Sequence, residues 1–77
     1  MKEYIVEVRY ASRGLRVFKV RTNSIYRIIG KIYCMALDHI EKIDYSRYTA
    51  EREQFLIDEG YEINSYKEPM LSEEIGE

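Results

Sequence analysis

Three groups of side chains in this 77-residue chain carry reactive chemistry. His39 is its one histidine, Cys34 its one cysteine, and Asp38, Glu41 and Asp44 set three carboxylates close together in sequence. A histidine can serve as a general base, and a thiolate near Arg27 and Lys31 can serve as a nucleophile. Each group also has a simpler role. At helical spacing His39 falls on the apolar side with Ile28 and Ile32, where a packing histidine is expected. Cys34 falls on the polar side with no base or orienting partner assigned to it. The carboxylates read as a solvated helix end. One cysteine and one histidine do not close a zinc site, and the chain has neither a glycine-rich phosphate loop nor a nucleophile elbow. The expectation is a non-enzymatic protein with no metal and no cofactor.

Composition narrows the class. Apolar residues make up 45% and charged residues 34% of the chain, as in a globular protein rather than a disordered one. No apolar run approaches the ~18 residues of a membrane span, so no membrane partner is expected. With one cysteine there is no internal disulfide, which makes the cytoplasm the expected compartment. The length predicts a single domain, residues 1–66, followed by an acidic tail, residues 67–77. Charge is unevenly placed along it. Residues 1–36 carry a net charge of +6 and residues 37–77 a net of −8, which the overall −2 conceals.

The elements that would position these groups begin with a hairpin. Tyr4, Val6, Val8 and Tyr10 recur at every second position, the period of a half-buried strand, and Leu15–Thr22 is equally rich in strand formers. The segment Ser12-Arg13-Gly14 reads as a three-residue loop ending in a left-handed glycine. That register sets Val8 opposite Phe18 and Val6 opposite Val20, with Val6, Val8, Phe18 and Val20 on one buried face. The other face then carries Arg9, Lys19 and Arg21. Thr22, Asn23 and Ser24 offer caps to a long amphipathic helix over residues 25–43, whose apolar positions include 25, 28, 29, 32, 36, 40 and 43. Residues 44–48 read as a connection. Thr49 caps a short helix over 50–59, Gly60 ends it, and 61–66 form a third strand. The fold class expected is α+β in the order β-β-α-α-β.

Two short stretches resemble known families. Tyr4-x-Val6-x-Val8, followed by Val20-x-x-x-Ser24 leading into a helix, resembles the opening of small β-β-α proteins of phages and mobile elements. Residues Arg52 to Tyr61 resemble a helix-to-strand joint in the second domain of some superfamily II helicases. The second stretch spans ten residues and comes without any nucleotide-binding motif. Neither assigns a role to a residue.

The function expected from the residues is protein binding. The apolar arc of the long helix is wider than one sheet face needs, and Tyr26, Tyr33 and Leu37 on its edge are the interface candidates. The competing expectation is that the short helix folds over this edge through Phe55 and Leu56. Asp44, Glu51, Glu53, Asp58, Glu59 and Glu62 form a candidate acidic surface. With the phage-like opening, such a surface suits a regulator that inhibits a host nucleic-acid enzyme. The partner would be another protein or a second copy of the chain. The alternative is a nucleic-acid binder using Arg9, Arg13, Lys19, Arg21, Arg27 and Lys31.

Overall fold

The computed structural model describes residues 2–35 and 39–67. Six elements follow in the order β1 (Lys2–Tyr10), β2 (Gly14–Thr22), α1 (Ile25–Met35), β3 (Ile40–Arg47), α2 (Ala50–Asp58) and β4 (Ile63–Lys67). The four strands form one mixed sheet in the order β3-β1-β2-β4. The pairs β3·β1 and β1·β2 are antiparallel, and β2·β4 is parallel. The α+β class stands, but the element order and the long helix do not.

The hairpin keeps its expected faces in a different register. Tyr10 pairs with Gly14, so the loop is Ala11–Arg13, and Val6 stands opposite Phe18 and Val8 opposite Arg16. The shift is two residues. Because side chains alternate with period two, it leaves every side chain on its expected face. Gly14 has φ of 78°, the left-handed conformation that the end of this loop requires.

The principal correction concerns residues 36–48. The helix predicted over 25–43 is an 11-residue helix ending at Met35, and Ile40 and Ile43 lie on the strand β3. Residues 44–47, expected as a connection, complete that strand. His39 is exposed just before β3, where its carbonyl accepts the Ala11 N–H at 3.0 Å, and it packs in no helix face. The pairing of β3 explains the change. Without it the outer edge of β1, with Ile5, Val6 and Val8 fully buried, would have no neighbour.

Helix positions follow from the order of strands. The chain crosses the sheet from β2 to β3 and then back from β3 to β4. Parallel crossovers that run in opposite directions and share one hand must place their helices on opposite faces. Accordingly α1 packs Ile25, Ile28 and Ile32 on Val6, Val8 and Val20, with Phe18, Ile40, Ile43 and Tyr66 around them. On the other face Leu56 of α2 packs on Ile5 and Val17, with Leu15, Tyr48 and Ile63 beside them. So α2 does not fold over the edge of α1, and Phe55 is left 51% exposed.

Local signals at α2 hold closely. The Thr49 hydroxyl accepts the Arg52 N–H at 3.1 Å, and Glu51 and Glu53 lie in the first turn, where the helix dipole favours acids. At the other end Gly60 has φ of 98°, its N–H donates to Ile57, and the Tyr61 N–H donates to Leu56. This is the paired-bond glycine cap that satisfies the last carbonyls of a helix. At the start of α1 the buried Thr22 hydroxyl accepts the Ser24 N–H at 3.0 Å and fixes the turn into the helix. No helix among the described residues is long and apolar enough to cross a membrane.

Candidate binding surface

The outer side of α1 brings two groups of candidate residues together. At about 100° per residue, Tyr26 and Tyr33 lie about 20° apart on one flank of the helix. Arg27 and Lys31 lie about 40° apart on the other flank, and Gly30 and Cys34 fall between the two rows. Tyr26 is 73% and Tyr33 51% exposed, and Cys34 is exposed as expected. A Cβ added at Gly30 would meet nothing within 4 Å, so no close approach among the described residues accounts for this glycine. Leu37, the third interface candidate, lies outside the described residues.

The tyrosine row continues onto the sheet. Tyr45 of β3 donates its hydroxyl proton to the Tyr26 hydroxyl at 3.0 Å, and the two rings meet edge to face at 5.9 Å. Tyr45 also meets Tyr4 edge to face at 6.2 Å, and the Arg47 guanidinium sits 5.9 Å from the Tyr4 ring centre. Strand alternation places Arg16 and Arg47 on this same side, since they stand opposite Val8 and Tyr4. Tyr45 and Arg47 were expected in a loop, so nothing in their spacing pointed to this cluster.

The remaining basic candidates go elsewhere. Arg9, Lys19 and Arg21 lie on the α2 side of the sheet, which is not the open outer face expected for the hairpin. Lys19 sits over the Tyr48 ring at 4.5 Å, and Arg21 approaches Glu3 at 4.0 Å. Arg13, in the hairpin loop, lies 5.8 Å from the Tyr10 ring centre.

The acidic candidates are divided in the same way. Asp44 pairs with Lys42 at 3.7 Å on β3, Glu53 accepts the Tyr48 hydroxyl, and Asp58 accepts from Gln54 at 2.9 Å. Glu51, Glu59 and Glu62 are exposed. One ion pair is more buried: Arg52 of α2 reaches Glu7 of β1 at 2.8 Å, tying the helix to the sheet. A shallow open depression of about 470 Å³ lies here, lined by Glu7, Asp44, Arg47 and Arg52 among others. Both of its carboxylates are engaged, Glu7 by Arg52 and Asp44 by Lys42. Among the described residues no three His, Cys, Asp or Glu side chains are grouped to hold a metal ion.

Three tyrosines are shifted upward from the ordinary value of 10.0. Tyr45 is raised chiefly by its hydroxyl bond to Tyr26, Tyr48 chiefly by its bond to Glu53, and Tyr66 by burial. The Tyr66 hydroxyl is buried without a hydrogen-bond partner, which favours the neutral phenol. A raised folded-state value means that the unfolded chain releases these protons first. The associated stability is fully present below about pH 10 and is lost as pH rises through the higher folded values. Alkaline titration followed at the tyrosinate absorbance should therefore show Tyr45, Tyr48 and Tyr66 ionising above the ordinary tyrosine value. Tyr48→Phe should remove one late titrating group.

Comparison with known proteins finds no matching family model, no similar curated protein and no similar solved structure.

Proposed function

We propose that the chain is a non-enzymatic regulator that acts by binding another protein through the outer face of α1. The observation that carries this reading is the exposed pair Tyr26 and Tyr33 beside Gly30. Tyrosine gives large contact area at low entropy cost, which is why it is enriched in interfaces. A glycine inside a helix costs about 1 kcal/mol relative to alanine. One that nothing among the described residues requires suits a face on which another backbone closes. The neighbouring Arg27 and Lys31 make an acidic protein surface the best fit. Mimicry of nucleic acid by the acidic half has less support, because Asp44, Glu53 and Asp58 are engaged within the chain.

The test separates folding from binding. Gly30→Ala should raise stability by about 1 kcal/mol in a thermal or denaturant melt. Gly30→Ala and Tyr33→Glu should both reduce partner capture by a folded chain. Capture unchanged in both folded variants would sink the reading.

A second reading, nucleic-acid binding, is favoured by Arg16, Arg27, Lys31 and Arg47 lying on one side of the sheet. Against it stand the net charge of −2 and the edge-on packing of Tyr45, which leaves its ring poorly placed to stack a base. Retarded mobility of nucleic acid that weakens steeply with salt would favour this second reading.

A further inference from the structure

The outer edge of β3 is eight residues long, and six of those residues are exposed. Its hydrogen-bonding direction is set by one bond, the Tyr48 N–H to the Glu3 carbonyl at 2.9 Å. Peptide groups alternate along a strand, so Ser46 and Asp44 also face β1, while Ile43, Tyr45 and Arg47 present their N–H and C=O groups outward. Such a row is a template for another strand.

The charges on this strand do not suit the neighbour it has. Across the β1·β3 pair, Lys42 stands opposite Arg9 and Asp44 opposite Glu7. Like charges directly opposite are unfavourable in a sheet. Glu7 is relieved by Arg52, and Asp44 by Lys42 two residues along the same face. The same order of charges does suit a second copy. When two β3 strands pair antiparallel about a two-fold axis at Ile43, Lys42 of each copy faces Asp44 of the other. Centring the axis at Asp44 would oppose two aspartates. Centring it at Tyr45 would set Asp44 against Ser46 and make no ion pair.

We propose that the chain forms a two-fold dimer through β3, centred on Ile43, with Lys42 and Asp44 pairing reciprocally across the seam. The two sheets join into one of eight strands. Both α1 helices then lie on the same side, and the Tyr26–Tyr45 cluster borders the seam. The dimer does not depend on the binding role of α1, but it would present two copies of that face side by side.

Solution mass from light scattering tests this directly. The unaltered chain at micromolar concentration and low salt should have twice the 9.3 kDa monomer mass. Asp44→Lys should return it to the monomer mass, because Lys42 and the new lysine then repel across the seam. This variant should still fold, since the lysine faces Glu7 within its own sheet. The double exchange Lys42→Asp with Asp44→Lys should restore the dimer, an outcome peculiar to the Ile43 centre. A monomeric unaltered chain at these concentrations would overturn the proposal, and so would a dimer unaffected by Asp44→Lys. A double variant that folds, by circular dichroism, but stays monomeric would overturn the register.

Discussion

Ile28→Ala is expected to lower the free energy of unfolding by about 2–5 kcal/mol. Ile28 is fully buried near the middle of α1, in one cluster with Val6, Val8, Val20, Ile25 and Ile32. Removing its branched side chain loses burial and leaves a cavity that close-packed neighbours fill only in part. The β-branched valines opposite are stiff at χ1 and belong to paired strands, so they have little freedom to collapse inward. Small domains have total stabilities toward the lower part of the 5–15 kcal/mol range, so the variant should be largely unfolded near body temperature. A denaturant melt checks this. A midpoint close to that of the unaltered chain would show that α1 does not hold the sheet together. Cys34→Ser, at an exposed position of the same helix, should barely move the midpoint and serves as the control.

These two helix positions also mark what could be read from residue spacing. The apolar stripe Ile25, Ile28 and Ile32 is helical in the sequence and in the structure, because three successive turns carry it without ambiguity. Ile40 and Ile43 extend the same spacing and mislead. Both lie beside the α1 cluster, although residues three apart on a regular strand point to opposite faces. An irregularity resolves the conflict: the register of β1 with β3 shifts between Arg9 and Tyr10, leaving Glu41 as an extra residue. With one residue absorbed by a bulge, a separation of three becomes an even one in the sheet. A bulged strand therefore imitates a helical period, and only the unfilled edge of β1 distinguishes the two.

The candidate surface was legible to a similar depth. Tyr26, Tyr33, Arg27 and Lys31 are near one another on a single short helix, so local periodicity was enough to place them. Arg9, Lys19 and Arg21 were assigned to one face of the hairpin, and they share it. What lies over that face depends on α2, whose position follows from the reversal of the crossover at β3. A strand taken for a loop removes that reversal from view. Tyr45 and Arg47 were missed for the same reason. The split of charge along the chain did not become a split between faces: Arg16, Arg27, Lys31 and Arg47 lie on the α1 side, but Arg9, Lys19 and Arg21 share the α2 side with Glu7, Glu53 and Asp58.

The second large effect is expected on that other side. Leu56→Ala should detach α2 from the sheet before the rest of the molecule melts. The smaller cluster has three buried members, Ile5, Val17 and Leu56, and Leu56 is the one buried residue of α2. The cost of the truncation is again about 2–5 kcal/mol, but it falls on an element with few other attachments. The ion pair of Arg52 with Glu7 and the bond from Tyr48 to Glu53 remain, and Arg52 is 40% exposed, so solvent weakens that ion pair. The hairpin and α1 keep their own cluster intact, so loss should be local rather than global. Hydrogen exchange should show amides of residues 50–58 losing protection while those of β1 and β2 keep theirs. The fluorescence of a hydrophobic dye should rise as Ile5 and Val17 become accessible. Uniform loss of protection across all the strands would mean that the two faces of the sheet fold as a single unit, with α2 an integral part of it.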